Sequence, residues 1–192
     1  MAVTLTINPG PALSDPVSLA DLNAIYSGAT ATLSGVFELE GTAYVIPEVT
    51  ASASTNGTNL LNAYTAAKAL TPHGSALGSG NRAVVLLPPG VYDLGASTLE
   101  MDTDYVDVIG FLNLDHGRAA SSSTLGYTHL STIIQSSDDV VDISEESATL
   151  ANVKLEATVT GKHAFVLSGN GAGNSSGPNL YNVEMVTATS ND

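Results

Sequence analysis

The chain contains no cysteine. Disulfides and thiolate metal sites are excluded, and the redox compartment is left open. Basic residues are also scarce. Lys and Arg number 5 in 192 residues against 19 Asp and Glu, for a formal net charge of -14 at pH 7. A nucleic-acid binder needs a basic footprint to neutralise phosphate, so that class is set aside. The same field repels an anionic polysaccharide unless local basic residues override it. No run approaches the ~18 apolar residues of a membrane span, so no membrane insertion is expected. The opening Met1-Ala2-Val3-Thr4-Leu5-Thr6 has no basic or apolar leader pattern, and we read no signal peptide there. Action outside a cell would then require lysis, another export route, or incorporation in a particle.

Only 12% of residues are charged. The polar surface must come mostly from Ser, Thr, Asn and Gly, a mixture common in extended β proteins. The length suits one or two domains with a real core.

One short phrase is repeated. Leu150-Ala151-Asn152-Val153-Lys154-Leu155 returns as Leu180-Tyr181-Asn182-Val183-Glu184-Met185, 30 residues later. A looser copy, Tyr105-Val106-Asp107-Val108-Ile109, stands upstream. Repetition at a fixed period points to a solenoid, and β phrases with polar ladder residues point to a parallel β-helix. Stacked coils lie about 4.8 Å apart, so an inward Asn at each level can hydrogen-bond its neighbours. Asp107, Asn152 and Asn182 are therefore assigned to a structural ladder rather than to chemistry. The first spacing exceeds the second by about the length of the polar stretch from Asn113 to Thr128. We infer a loop inserted into one coil there, on a face where solenoids often bind.

Upstream, Val3, Leu5 and Ile7 alternate with threonines as in a half-buried strand. Ser18 and Asp21 resemble a capping box, and Leu19, Leu22, Ile25 and Tyr26 share one helical face. Strand-like text follows at 31–40 and 42–46. Residues 1–46 read as a small α+β unit, and the Ser/Thr/Ala-rich 47–57 as a linker. A helix is expected from Thr58 to Leu70, stopped by Thr71-Pro72. Ala83 to Leu94 reads as a buried strand, a turn at Pro88-Pro89-Gly90, and a second strand. Short strands then follow at Thr98–Met101, Tyr105–Phe111, Ser131–Gln135, Val140–Ser144, Leu150–Ala157, Ala164–Leu167 and Leu180–Val186.

A helix, then Leu87-Pro88-Pro89-Gly90-Val91-Tyr92, then Val108-Ile109-Gly110, then repeating coils: this order resembles the right-handed, pectate-lyase-like β-helix. More narrowly, it resembles the front end of phage tail fibres and tailspikes. The resemblance covers roughly residues 56–192. It implies that the helix at 58–70 covers the open end of the first coil. Residues 1–46 resemble, more weakly, the particle-attachment segments ahead of such shafts. The fold class expected is mainly β: a short right-handed parallel β-helix of about three coils over residues 58–192, with a capping N-terminal helix.

Several motifs are weighed against plainer readings. Gly173-Asn174-Ser175-Ser176-Gly177 fits G-x-S-x-G, but that chemistry needs a strand before the serine and a helix after it. Here Pro178-Asn179 and a strand follow. Gly169 to Gly173 lacks the Lys and Ser/Thr of a phosphate loop and reads as a turn. Asp138, Asp139, Asp142, Glu145 and Glu146 could offer oxygens to calcium, yet they lack EF-hand spacing and read as a solvated ridge. The four histidines have no i, i+4 partner, so no zinc site is indicated. His116, Arg118, Tyr127 and His129 flank the inferred insertion and form a candidate recognition loop, although exposed polar loop residues would look the same. Enzymes on the resembled fold use a basic residue as an eliminating base or paired carboxylates. Lys68, Arg82, Arg118, Lys154 and Lys162 fall into no such motif.

We expect no catalytic residue, metal or cofactor. The expected function is a structural virion component, a tail fibre or spike segment supporting host-receptor recognition. Its expected partners are itself as a homotrimer, other tail, baseplate or capsid proteins through residues 1–46, and a host surface glycan. The alternatives are an extracellular polysaccharide lyase or hydrolase of the β-helix class, and a bacterial surface adhesin.

Overall fold

A computed structural model describes residues 35–39, 41–111, 132–169 and 177–188. They are mainly β, with parallel strands in a sheet curled into a half-barrel. β1 (Gly35–Leu39) and β2 (Thr42–Ile46) form an antiparallel hairpin. Helix α1 (Ala53–Lys68) and a short 3-10 turn at Pro72–Gly74 come next. The remaining strands are β3 (Arg82–Leu87), β4 (Gly90–Asp93), β5 (Leu99–Met101), β6 (Val106–Gly110), β7 (Thr132–Ser136), β8 (Val141–Ile143), β9 (Thr149–Ala157), β10 (Phe165–Leu167) and β11 (Asn179–Thr187). The seven strands read downstream of residue 98 lie within one residue of these bounds.

The larger sheet runs β1-β2-β3-β6-β9-β7-β4, with β11 on β9, and the smaller runs β10-β8-β5. Every pairing except the β1–β2 hairpin is parallel. Register stacks like on like. Val45, Val85, Val108, Leu150 and Leu180 form one column. Tyr92, Ile134, Leu155 and Met185 form a second. Met101, Ile143 and Leu167 form a third. The interior members of these columns are fully buried. Each such side chain contributes roughly 1.5–3 kcal/mol of burial, and the β-branched ones suit a pleated surface. The columns are the core.

Helix α1 lies against β2, β3 and β4. Its buried face is Leu60, Ala63, Tyr64 and Ala67. It begins at Ala53, five residues before the expected start and inside the stretch read as a linker. Ser52 caps it, accepting from the Thr55 amide. Two polar-looking residues are buried and hold this first turn to the sheet. Asn56 donates through Nδ2 to the Thr50 and Val91 carbonyls and accepts from the Thr50 amide. Gly57 passes so close to β4 that a Cβ would stand 2.0 Å from the Asp93 carbonyl oxygen.

The boundary drawn at residue 46 also shifts. β2 pairs in parallel with β3, Thr42 against Arg82 and Val45 against Val85. Residues 42–46 are thus the first strand of the parallel sheet. Among the described residues, no helix is long and apolar enough to cross a membrane.

Candidate functional site

The repeated asparagines meet. β9 bends at Asn152 and β11 at Asn182, with φ of 57° and 53°. This left-handed region costs most residues roughly 1–2 kcal/mol, and Asn is among the few that enter it readily. The bend splits each strand into two legs. In β9, Leu150 and Ala151 pair with β6, while Lys154 to Ala157 pair with β7. One asparagine thus turns the chain from one ladder to the next. Asn182 Nδ2 donates to Asn152 Oδ1 at 2.9 Å. Asn152 Nδ2 in turn reaches the Gly110 carbonyl oxygen at 3.4 Å.

Asp107 is not the next rung. Ile109 pairs with Ala151, so the residue level with Asn152 is Gly110, three places further on. Gly110 is required by the corner above it. A Cβ there would stand 2.1 Å from the Asn152 carbonyl oxygen. Sequence comparison missed this position because the glycine carries no side chain to match against an amide. The signal was the Val-Ile-Gly phrase, aligned by its last residue instead of by its acid.

Asp107 serves a different network. It is 4% exposed on the outward side of β6. Arg82 grips it with two bonds, Nε to Oδ2 at 2.8 Å and Nη2 to Oδ1 at 2.6 Å. Arg82 Nη2 also donates to the Ser147 carbonyl, and the Thr149 amide donates to Asp107 Oδ1. The Tyr105 ring lies 5.5 Å from the guanidinium. The hydrogen bond to Asp107 raises the guanidinium pKa further, against the opposing effect of burial. This pair ties β3, β6 and the start of β9 together. The arrangement gives each charge a partner inside the fold.

Two further buried polar side chains hook successive turns. Thr132 Oγ1 donates toward the Leu87 and Pro88 carbonyls. Ser136 Oγ donates toward the Gly95 and Ser97 carbonyls, and the Asp138 amide donates to Ser136 Oγ. Tyr92 is buried on the core side and donates to the Pro88 carbonyl at 2.8 Å. Burial pushes its phenol pKa well up.

The acidic run does not converge on a point. Asp138 pairs with Lys162, and Asp139 accepts from the amide and the ring of His163. The Lys162 hydrogen bond holds Asp138 below the usual carboxylate range, and the His163 amide does the same for Asp139. Asp142 lies in register with Glu100 on the neighbouring strand. Among the described residues, no group of three or more His, Cys, Asp or Glu side chains could hold a metal ion.

Each described Lys or Arg sits in an ion pair: Lys68 with Asp102, Arg82 with Asp107, Lys154 with Glu156 and Lys162 with Asp138. The candidate recognition residues His116, Arg118, Tyr127 and His129 lie outside the described residues, as do Asn174, Ser175 and Ser176 of the G-x-S-x-G motif. β6 ends at Gly110 and β7 begins at Thr132. At the corresponding corner of β9 a single asparagine makes the turn.

Beyond the Arg82–Asp107 pair, the outer face of the first ladder is apolar. Leu86, Ile109, Ala151 and Tyr181 stack in register. Beside them, Ile46, Pro47, Val49, Leu86, Pro88, Pro89 and Phe111 line a cavity of about 330 Å³. Phe111 is 63% exposed at its rim. With hardly any polar wall, this cavity suits another protein's apolar side chain better than a sugar, which needs convergent hydrogen-bonding groups. No protein-family model, no curated protein and no solved structure matches the chain.

Proposed function

We propose that this chain is a structural segment of a phage tail fibre or tailspike. In this reading the three ladders are the faces of a parallel β-helix. Its coils run β3-β4-β5, then β6-β7-β8, then β9-β10, and β11 begins a fourth. The helix is right-handed, as nearly all parallel crossovers are. The observation that carries the reading is the in-register stacking of three aliphatic columns with an asparagine corner repeated between levels. A stack of this kind forms a stiff rod that grows by adding coils.

Three copies associate side by side, with the apolar outer face around Phe111 as the contact. The residues ahead of β2, the larger part of the unit expected at 1–46, join other tail, baseplate or capsid proteins. In this reading His116, Arg118, Tyr127 and His129 carry the receptor contacts, with a surface glycan as the ligand class. The pairing of every described cation supports a scaffold role over a lyase, which needs a free base beside its substrate. The test is native mass by light scattering. Copy numbers in multiples of three support the proposal, and a chain with no three-fold species contradicts it.

A further inference from the structure

We propose that Asn56 is a self-modifying site. Folding suppresses its conversion to aspartate, and the product loosens helix α1 from the sheet, so the conversion is a one-way chemical record of unfolding. Asn56 and Gly57 form an asparagine–glycine pair. Glycine leaves its own backbone nitrogen unshielded and free to turn, which favours ring closure onto the preceding side chain. Packing imposes the two residues separately. Asn56 uses its whole amide. Nδ2 donates to the Thr50 and Val91 carbonyls at 3.1 and 3.0 Å, and Oδ1 accepts from the Thr50 amide and hydroxyl at 2.7 and 3.0 Å. Only a side-chain amide brings two donors and two acceptors to one place. Gly57 admits no Cβ, which would stand 2.0 Å from the Asp93 carbonyl oxygen. Val91 and Asp93 both lie on β4. Two contacts with one strand thus create a labile pair.

The reaction needs only water and a base. The Gly57 nitrogen loses its proton to solvent hydroxide and forms a bond to Asn56 Cγ. The Cγ–Nδ2 bond breaks, and Nδ2 leaves as ammonia. Water then opens the five-membered imide at either carbonyl, giving aspartate or its β-linked isomer. The native geometry opposes each step. Asn56 is 2% exposed, so water and base are kept away. The leaving nitrogen is held by two carbonyls. An α-helix aims each amide at the carbonyl four residues back, as the Asn56 amide is aimed at Ser52 at 3.0 Å. Ring closure requires the Gly57 nitrogen to leave that helical arrangement.

The product does not fit the place its parent left. Aspartate at residue 56 turns a carboxylate oxygen toward the Thr50 and Val91 carbonyls, acceptor against acceptor, in a buried position. A buried charge without a partner is strongly disfavoured. The β-linked isomer also adds a backbone carbon within the first turn of α1, next to the Ser52 cap. Either product weakens the attachment of that turn to β4. An unfolded chain therefore converts, and a converted chain folds less stably.

The test follows conversion at Asn56 by peptide mapping and mass spectrometry of the unaltered chain, held at mildly alkaline pH in buffer or in guanidinium. The other asparagine–glycine pair, Asn170-Gly171, falls on a separate tryptic fragment. Conversion at Asn56 is expected to be at least about 100-fold slower in the folded chain, because only the open fraction reacts. Equal rates in the two conditions would overturn the protection. The consequence is read from urea unfolding of Asn56→Asp beside Asn59→Asp. Asn59 is exposed and gives up a single bond to the Glu48 carbonyl. Asn59→Asp is expected to keep the parent midpoint, while Asn56→Asp shifts to lower urea or shows no cooperative transition. Equal midpoints for the two variants would overturn the claim that the product loosens α1.

Discussion

Asn182 and Asn152 occupy the same corner of successive strands, both left-handed, with one amide donating to the other at 2.9 Å. A single residue type meets two demands there. It tolerates positive φ, and its side chain satisfies a neighbour one level away. The first prediction separates the two. Asn152→Gly keeps the backbone and loses the hydrogen bond, at a cost of about 1 kcal/mol. Asn152→Val loses both and costs about 3 kcal/mol, since a β-branched residue resists this region. Urea unfolding of the two variants measures the difference, and equal losses would refute the corner's backbone role.

Gly110 is the most constrained position beneath that corner. Gly110→Ala forces a methyl to 2.1 Å from the Asn152 carbonyl oxygen. The strand or the corner must move, with an expected loss of about 3 kcal/mol. Gly95, with open space around its Cβ position, provides the contrast. Its positive φ of 64° alone limits Gly95→Ala to about 1–2 kcal/mol. Thermal unfolding of both variants checks the order.

Removing Arg82 leaves Asp107 buried without its cation. Arg82→Met is expected to cost about 3 kcal/mol, at the low end for a broken buried pair because the arginine side chain keeps 27% exposure. Replacing both residues, Arg82→Met with Asp107→Leu, should recover most of that loss. A double-mutant cycle by urea unfolding reads the coupling. Simple additivity would show that the pair contributes little.

Acid should loosen the fold. Asp138 and Asp139 are held below their ordinary range by Lys162 and by the His163 amide. Asp102 is lowered too: burial opposes the shift, but the hydrogen bonds from Lys68, Thr103 and the backbone, with the Lys68 charge, together outweigh it. A carboxylate with a depressed folded pKa adds stability above its unfolded value, near 4, and loses it as pH falls through the folded value. The melting temperature should therefore be level above about pH 5 and fall below about pH 4. Lys162→Met should flatten part of that fall. These pairs are exposed, so the lysine's share is small and salt-sensitive.

Much of the strand pattern was legible in the sequence because inward and outward residues alternate along it. Val106 and Val108 around Asp107, and Val153 and Leu155 around Lys154, declare their faces directly. Register was harder to read. The phrase around Asp107 resembles the asparagine phrases in its flanking valines, but parallel pairing aligns it three residues away, and only a backbone contact at Gly110 reveals why. The start of α1 was hidden for a related reason. Asn56 and Gly57 look like linker residues, yet one is buried by three backbone hydrogen bonds and the other by close approach to β4. Arg82 and Asp107, 25 residues apart, gave no local sign of their pairing. The expected recognition loop falls outside the described residues, so the site reading rests on the sheet and its corners.

The most direct test of the fibre proposal is the native mass of the chain, measured by light scattering after size exclusion. The account predicts three copies of the 19.5 kDa chain, or a multiple of three. A single copy across the accessible concentration range would contradict it.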